Sequence, residues 1–293
     1  MNTKIKHAAY NRMGAFDVVL IIIMIIFMAC IIVPFVHIIA VSLSGEVAVA
    51  NNAVGLWPKD FTLKTYIQIF KNGEFFQAYG NTIYYTVVHT VLSLILTAMG
   101  AYALARRQLV GHGIFSFMIT VTMFFGGGLI PTYMAVSNYG LINTRWAMIL
   151  PTLISTWNLI VMRSFFVAFP QEIIESGKID GLEEVGIFFR LVLPSSKASL
   201  ATIGLYYAVA TWNSYMPARL YIRDTKLYPV QHLLRQMLDQ VNMDSLEGTA
   251  DVVLTPASVR YASIMIATIP IICVYPFIQK YFVKGVMVGS VKG

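Results

Sequence analysis

An all-α, polytopic membrane protein is what this sequence predicts, on three observations. Of its 293 residues 57% are hydrophobic and only 12% are charged, with a mean hydropathy of +0.69; a soluble domain carries about 25% charged residues. Apolar runs recur along the chain, each near the ~20 residues that a helix needs to cross the hydrocarbon core. These runs are too long for barrel strands and lack their alternation, so helices, which satisfy their own backbone hydrogen bonds, are the expected spanning elements.

Six runs qualify in order: 16–41, 81–105, 114–136, 146–165, 197–216 and 259–283. Lys4, Lys6 and Arg12 precede the first. Its apolar stretch exceeds the 7–15 residues of a signal-peptide core and has no clear small-residue cleavage site, so it is read as a retained span. The second run ends on Arg106-Arg107 in a short turn, whereas the connection 137–145 carries one cation, Arg145. Cations concentrate in the short cytoplasmic connections of membrane proteins. Both termini and the 106–113 turn are therefore expected inside, with 42–80 and 217–258 outside. Gly126-Gly127-Gly128 with Pro131 in the third run is expected to permit a close helix crossing, a bend or a gating hinge.

Of the two long outer segments, the first has Trp57 and Pro58, suited to a membrane–water boundary. The second contains "PVQHLLRQMLDQV", in which Val230, Leu233, Leu234, Met237, Leu238 and Val241 recur at helical spacing and make one apolar face. That face can pack on the spans, lie on lipid or meet an external partner; an acidic run, "DSLEGTADVV", follows it. No repeat or low-complexity linker divides the chain. The expectation is a single membrane domain over 1–293, with an N-terminal span and outer segment (1–80), a core (81–283) and a cytoplasmic tail (284–293).

Several function classes are excluded. The net charge of +7 reflects lysines and arginines flanking spans rather than nucleic-acid binding. Cys30 and Cys273 lie inside apolar runs without metal-ligand spacing, and His7, His37, His89, His112 and His232 are scattered. No G-x-x-x-x-G-K-[ST], H-E-x-x-H, C-x-x-C or G-x-S-x-G occurs. The chain is expected to be no enzyme, to bind no metal and to hold no cofactor of its own.

One segment breaks the apolar pattern. "PQEIIESGKIDGLEEVGIFFRLVLPSS" is rich in charge and glycine between two spans. Pro170 suits a first helical turn, and Glu172 and Glu175 suit its positive end. Asp180 with Glu183 three residues on has the spacing of a capping box, and Gly181 permits a tight turn. Leu182, Val185 and Phe189 are spaced for one face of a second short helix, and Pro194 sets off the next span. By residues alone this is either a surface loop with ordinary caps or a two-helix knob for a groove on another protein.

Polar groups inside spans are costly and usually face the bundle interior or a water-filled cavity. Asn81, His89, Trp157, Asn158, Tyr206, Tyr207, Trp212 and Asn213 are the candidates. Helix–helix hydrogen bonding and an interfacial aromatic belt are the competing roles. Arg163 and Arg219 lie near span ends, where such side chains snorkel.

"ESGKIDG" followed by "FFRLVLP" resembles the EAA loop of type I ATP-binding-cassette importer permeases. Glu175, Asp180, Gly181, Leu193 and Pro194 stand at matching positions, and Ser176 and Gly177 replace the two alanines with other small residues. "MFFGGGLIPTY", "TWNSYMPARLYIRD" and "KGVMVGSVKG" are similar to the carbohydrate-uptake branch, so the resemblance covers about 57–293. It implies a coupling helix docked in a cytoplasmic ATPase, carried by Glu175, Ser176, Gly177, Asp180, Gly181, Leu182, Phe188 and Pro194. It also implies ATP and Mg on that partner, two ATPase subunits, a second homologous permease in a heterodimer, and an extracytoplasmic solute-binding protein. The tail 284–293 would reach toward the ATPase pair, in a bacterial cytoplasmic (inner) membrane. The implied cargo is an oligosaccharide, complex or uronate-containing, as in an alginate importer, moved by alternating access along Asn81, His89, Trp157, Asn158, Tyr206, Trp212 and Asn213. Sugars are commonly held by aromatic faces with amide and hydroxyl hydrogen bonds, which suits that mixture. The alternatives are an ATP-independent secondary transporter, which would more often carry intramembrane acids for ion coupling, and a membrane-embedded transferase, which needs a carboxylate pair or metal site. No acidic residue lies between 81 and 165.

Overall fold

The computed structural model describes residues 14–71, 73–247 and 256–290, with side chains at 14, 16–71, 73–239, 257–274 and 276. Among them every regular element is helical. Lys4, Lys6, Arg12 and most of the acidic run after residue 247 lie outside the described residues. The chain sorts into two compact units, Met1–Gln68 with Leu238–Ile266, and Ile69–Met237 with Ala267–Gly293.

The first unit is dominated by α1 (Ala15–Ser42), in which Asp17 accepts the Gly14 N–H at 2.9 Å and places a carboxylate at the positive helix end. Large apolar side chains from Phe16 to Val33 are exposed, as suits a helix whose solvent is lipid. Its far end is buried instead. Ala40 and Val41 pack with Ala48 and Val49 of α2 (Glu46–Ala50), with Val54, and with Ala257 and Tyr261. Ser44 Oγ donates to Ala40 O at 2.6 Å and accepts the Lys59 N–H at 3.0 Å, so the loop after α1 folds back on the helix end. The loop leads into α3 (Lys64–Lys71).

In the second unit α4 (Gly73–Ala105) is the axis: 33 residues, about 50 Å at 1.5 Å per residue. It packs against α7 (Thr156–Val167) and α11 (Lys197–Trp212). Small residues permit the approach. Ala98 and Ala101 are buried among Met162, Phe166, Ile203 and Tyr207, and a Cβ on Gly100 would come 3.1 Å from Leu159.

Two expected spans are broken. The run 114–136 is not one helix: α5 (His112–Phe124) and α6 (Leu129–Asn138) meet at 114° across the glycine triplet. Phe125 is extended there and Gly128 has φ +80°, a conformation that a β-carbon disfavours. The run 146–165 begins as two 3₁₀ turns, Arg145–Met148 and Leu150–Thr152, and bends by 52° into α7. Three described helices are long and apolar enough to cross a membrane, Phe16–Ser42, Gly73–Ala105 and Ala257–Val274, or five crossings if each bent pair is one span. The remaining run, 197–216, corresponds to α11, whose 16 residues reach about 24 Å, short of a ~30 Å core.

The last helices lie further along. Beyond α12 (Met216–Tyr221) the amphipathic segment forms α13 (Val230–Glu247). Val230, Leu233 and Leu234 are buried and Met237 and Leu238 partly so, while the Val241 side chain lies outside the described residues. The closing helix α14 (Pro256–Ser290) contains Pro270 and Pro276 and stays helical past residue 283, where the apolar run was expected to give way to a tail. Residues 291–293 of that tail lie outside the described residues.

Candidate functional site: a charged helical loop and a polar cavity

The charged segment forms α8 (Gln171–Ile179), α9 (Glu184–Ile187), a π-turn at Phe188–Val192 and α10 (Leu193–Ser195), which contains Pro194. Pro170 is the N-cap of α8. The expected capping box on Asp180 does not form. Asp180 is the C-cap of α8, and Glu183, not Asp180, precedes α9. The turn is a Schellman motif: Gly181 has φ +78°, its N–H donates to Lys178 O at 3.1 Å, and the Leu182 N–H donates to Gly177 O at 2.9 Å. Orphan carbonyls of α8 are satisfied by backbone, so no side chain needs to cap the turn.

The apolar faces also differ from the expected one. Val185 and Phe189 are 67% and 49% exposed, whereas Ile187, Phe188 and Val192 are buried. The buried face is already set in α9, where Ile187 rather than Val185 points inward, and Phe188 continues it into the π-turn. Phe188 packs on Tyr102 with ring centroids 5.0 Å apart. Gly177 is buried within its own chain, where a Cβ would meet Leu191 Cδ1 at 2.6 Å and Ile187 at 3.3 Å. The outer face consists of Glu172, Glu175, Ser176, Asp180, Gly181 and Glu183, all exposed, with Ile179 87% exposed at the tip.

Glu184 ties this loop to the end of α4. Its Oε1 lies 3.0 Å from Lys178 Nζ, and its Oε2 lies 3.3 Å from Arg106 Nη2 and accepts the Tyr102 hydroxyl at 2.9 Å. Arg106 also donates to the Tyr102 oxygen at 2.6 Å and lies over the Tyr102 ring, 4.8 Å from its centroid. Burial by itself would raise the Glu184 carboxyl. The hydrogen bonds from Lys178 and Tyr102 and the charges of Arg106 and Lys178 outweigh it and hold the group below its ordinary value. Sequence reasoning passed over Glu184 and Tyr102 and used Arg106 only as a charge that marks a cytoplasmic turn. Lys178 and Glu184 carry opposite charge, but six residues separate them, and only the Schellman turn brings them together.

A second feature is a cavity of about 450 Å³ between α4, α7 and α11. Five of the eight candidate polar residues, His89, Trp157, Asn158, Tyr206 and Tyr207, line it together with Thr152, Ser155 and Thr211. His89 is held at both ring nitrogens: Nε2 is 3.1 Å from Thr152 Oγ1 and from Thr152 O, and Nδ1 is 2.9 Å from Thr211 Oγ1. Ser155 is the N-cap of α7, accepting the Asn158 N–H. The indole of Trp157 and the phenol of Tyr206 stay 58% and 42% exposed. Every side chain lining the cavity is neutral or is His89, so it can offer hydrogen bonds and ring faces to a polar solute.

The other three are elsewhere. Asn81 donates to Lys226 O at 2.7 Å and Tyr228 O at 3.1 Å, and Tyr85 donates to Leu227 O at 2.8 Å, so these two hold the 3₁₀ turn Thr225–Leu227 on α4. Trp212 donates to Ala267 O at 3.1 Å beside a separate apolar cavity of about 230 Å³. Asn213 donates back to Val209 O. Hydropathy marks a polar residue in a span but not which side of the helix it occupies. Thr152 and Thr211 went unnoticed for the complementary reason: single hydroxyls leave little trace in an apolar run.

No family model matches the chain. It is similar to Protein LplC of Bacillus subtilis (strain 168), 42% identical over 267 residues, which is 89% of this chain and 90% of the relative. The polygalacturonan/rhamnogalacturonan transport system permease protein YtcP of the same organism is 40% identical over 286 residues, 97% and 99% of the two chains. Among solved structures, a chain of a bacterial ABC transporter involved in the import of the acidic polysaccharide alginate matches with a TM-score of 0.83 and 32% identity, over 91% of this chain and 96% of the other. In this family ATP hydrolysis belongs to a separate subunit, and the importer works as a complex with ATPase and substrate-binding partners. With relatives this similar along nearly its whole length, the chain belongs to the permease subunits of ATP-binding-cassette sugar importers.

Proposed function

We propose that the chain forms one half of the translocation path for a uronate-containing oligosaccharide, paired with a second, related permease. Two ATPase subunits carrying ATP and Mg drive it, and an extracytoplasmic binding protein delivers the cargo. On this reading the chain is one membrane domain, the six apolar runs all cross the membrane, counting the bent pairs and α11, and both termini are cytoplasmic. The outer face of α8, with Glu175, Ser176, Asp180 and Gly181 around Ile179, docks in a groove of the ATPase. Gly177, Leu182, Phe188 and Pro194 shape that knob from within.

The single observation that carries the reading is the convergence of His89, Trp157, Asn158 and Tyr206 on one cavity in the same compact unit as the exposed loop. Exposed ring faces beside amide and hydroxyl groups suit sugar rings and their hydroxyls. The class of sugar follows from relatives whose names specify polygalacturonan, rhamnogalacturonan and alginate transport. Asn81, Trp212 and Asn213 shape the path indirectly, through the contacts that they make within the chain.

The test is uptake into proteoliposomes holding both permeases and the ATPase, with the binding protein added. ATP-dependent uptake of oligogalacturonate or oligoalginate, exceeding that of neutral oligosaccharides, is the expected result. Uptake that persists without the ATPase subunits overturns the reading in favour of a secondary transporter.

A further inference from the structure

A docked loop moves a pore only if something stiff connects the two, and Glu184 occupies that junction. Its two oxygens join three groups: Lys178 near the end of α8, Tyr102 in the last turn of α4, and Arg106 just past the end of that helix. Arg106 Nε is buried without a partner, so the guanidinium is oriented by its contacts with Glu184 and Tyr102. Directly behind the carboxylate, Phe188 presses on Tyr102 within the core that also holds Met162 and Ile203. From Tyr102, α4 continues unbroken to Thr97 and His89. The thirteen residue steps from 102 to 89 rise about 20 Å. Thr97 Oγ1 is 2.7 Å from the Tyr207 hydroxyl, and His89 and Tyr207 both line the cavity.

We infer that Glu184 is a positioning residue for energy coupling: it locks α8 to the end of α4, so that displacement of α8 is delivered along α4 to the cavity wall. The inference rests on the proposed docking of α8 to an ATPase. Glutamine at 184 removes the charge shared by Lys178 and Arg106 and leaves two cations facing one neutral amide. The loop keeps its Schellman turn and its buried Ile187 and Phe188, so docking persists while the linkage loosens.

The assay uses the complete complex and measures ATP hydrolysed per solute transported, together with ATPase co-purification. Glu184→Gln is expected to keep co-purification and to raise that ratio about twofold or more, the scale of a partly exposed ion pair. Glu184→Asp, which retains the carboxylate, is expected to restore at least about half of the coupling on the same scale. If Glu184→Gln fails to assemble, Lys178→Gln, at the exposed edge of the network, decides the matter by the same ratio. A purely structural role lowers yield or melting temperature and leaves the ratio unchanged, and an unchanged ratio in an assembled variant overturns the inference. Absence of ATP-dependent transport in the wild type would instead overturn the importer reading on which it rests.

Discussion

The hydroxyl of Tyr207 lies 2.7 Å from Thr97 Oγ1 and accepts the backbone N–H of Ser155 at 3.0 Å, so one phenol on α11 pins α4 and the start of α7 together. Tyr207 is 2% exposed. Tyr207→Phe keeps the ring and leaves the part-buried Ser155 N–H and the buried Thr97 hydroxyl without that partner, at a cost of about 1–3 kcal/mol. The expected outcome is a lower melting temperature for the detergent-solubilised chain. An unchanged melt would mean that the phenol is not the pin.

Ile179 projects from the tip of α8, where a large apolar side chain has no neighbour in its own chain to hide it. A central apolar anchor in a protein groove is worth about 2 kcal/mol or more. Ile179→Asp is therefore expected to weaken ATPase association at least about tenfold while the melting temperature of the isolated chain stays put. Equal binding by both proteins in a pull-down titration would move the docking face elsewhere.

Trp157 and Asn81 are both polar-tipped residues of apolar runs, and the structure separates their roles. Trp157→Ala removes an exposed ring face from the cavity, and uptake is expected to fall about tenfold with little change in melting. Asn81→Ala leaves the carbonyls of Lys226 and Tyr228 without that donor, and stability is expected to fall by about 1–2 kcal/mol. Parallel uptake and thermal-melt measurements on the two variants check this, and the opposite assignment of effects would refute it.

Glu184 sets an acid limit on the loop. Its carboxyl is held below its ordinary value of 4.5 by Lys178, Tyr102 and Arg106 against the opposing effect of burial. A carboxyl depressed in the folded state contributes stability above its unfolded value, and that contribution is lost as pH falls through the folded value. This contribution should therefore be flat from pH 7 down to about 5 and fall away below the ordinary carboxylate range. The side chain is 53% exposed, so solvent and salt keep the effect small. Melting curves of wild type and Glu184→Gln should converge in acid. Curves that stay parallel would show that the ion pairs contribute nothing.

The broad architecture was legible because hydropathy is additive along a chain: the apolar runs 16–41 and 81–105 each became an apolar helix. Gly126-Gly127-Gly128 marked a possible bend. Its angle of 114° depends on Gly128 adopting a positive φ, which glycine permits without requiring. In the loop, the position of the turn at Gly181 was legible. Its chemistry was misread, because Asp180 and Glu183 satisfy the spacing of a capping box while the backbone closes a Schellman motif instead.

By itself the sequence determined the class of the protein: helices apolar enough for lipid, no nucleotide-binding loop, and a charged glycine-bearing segment of the importer-permease kind. These properties are local or compositional, and any chain with this order of residues carries them. Only the tertiary structure decided which polar side chains share a cavity and which carboxylate joins the loop to α4. His89 and Tyr207 are 118 residues apart, and their ring centroids come within 5.8 Å because α4 and α11 pack across small residues. Glu184 reaches Arg106 after a left-handed glycine at 181 reverses the chain in a Schellman turn. Such pairings depend on helix rotation and packing between distant segments, to which hydrophobic periodicity within one segment is blind.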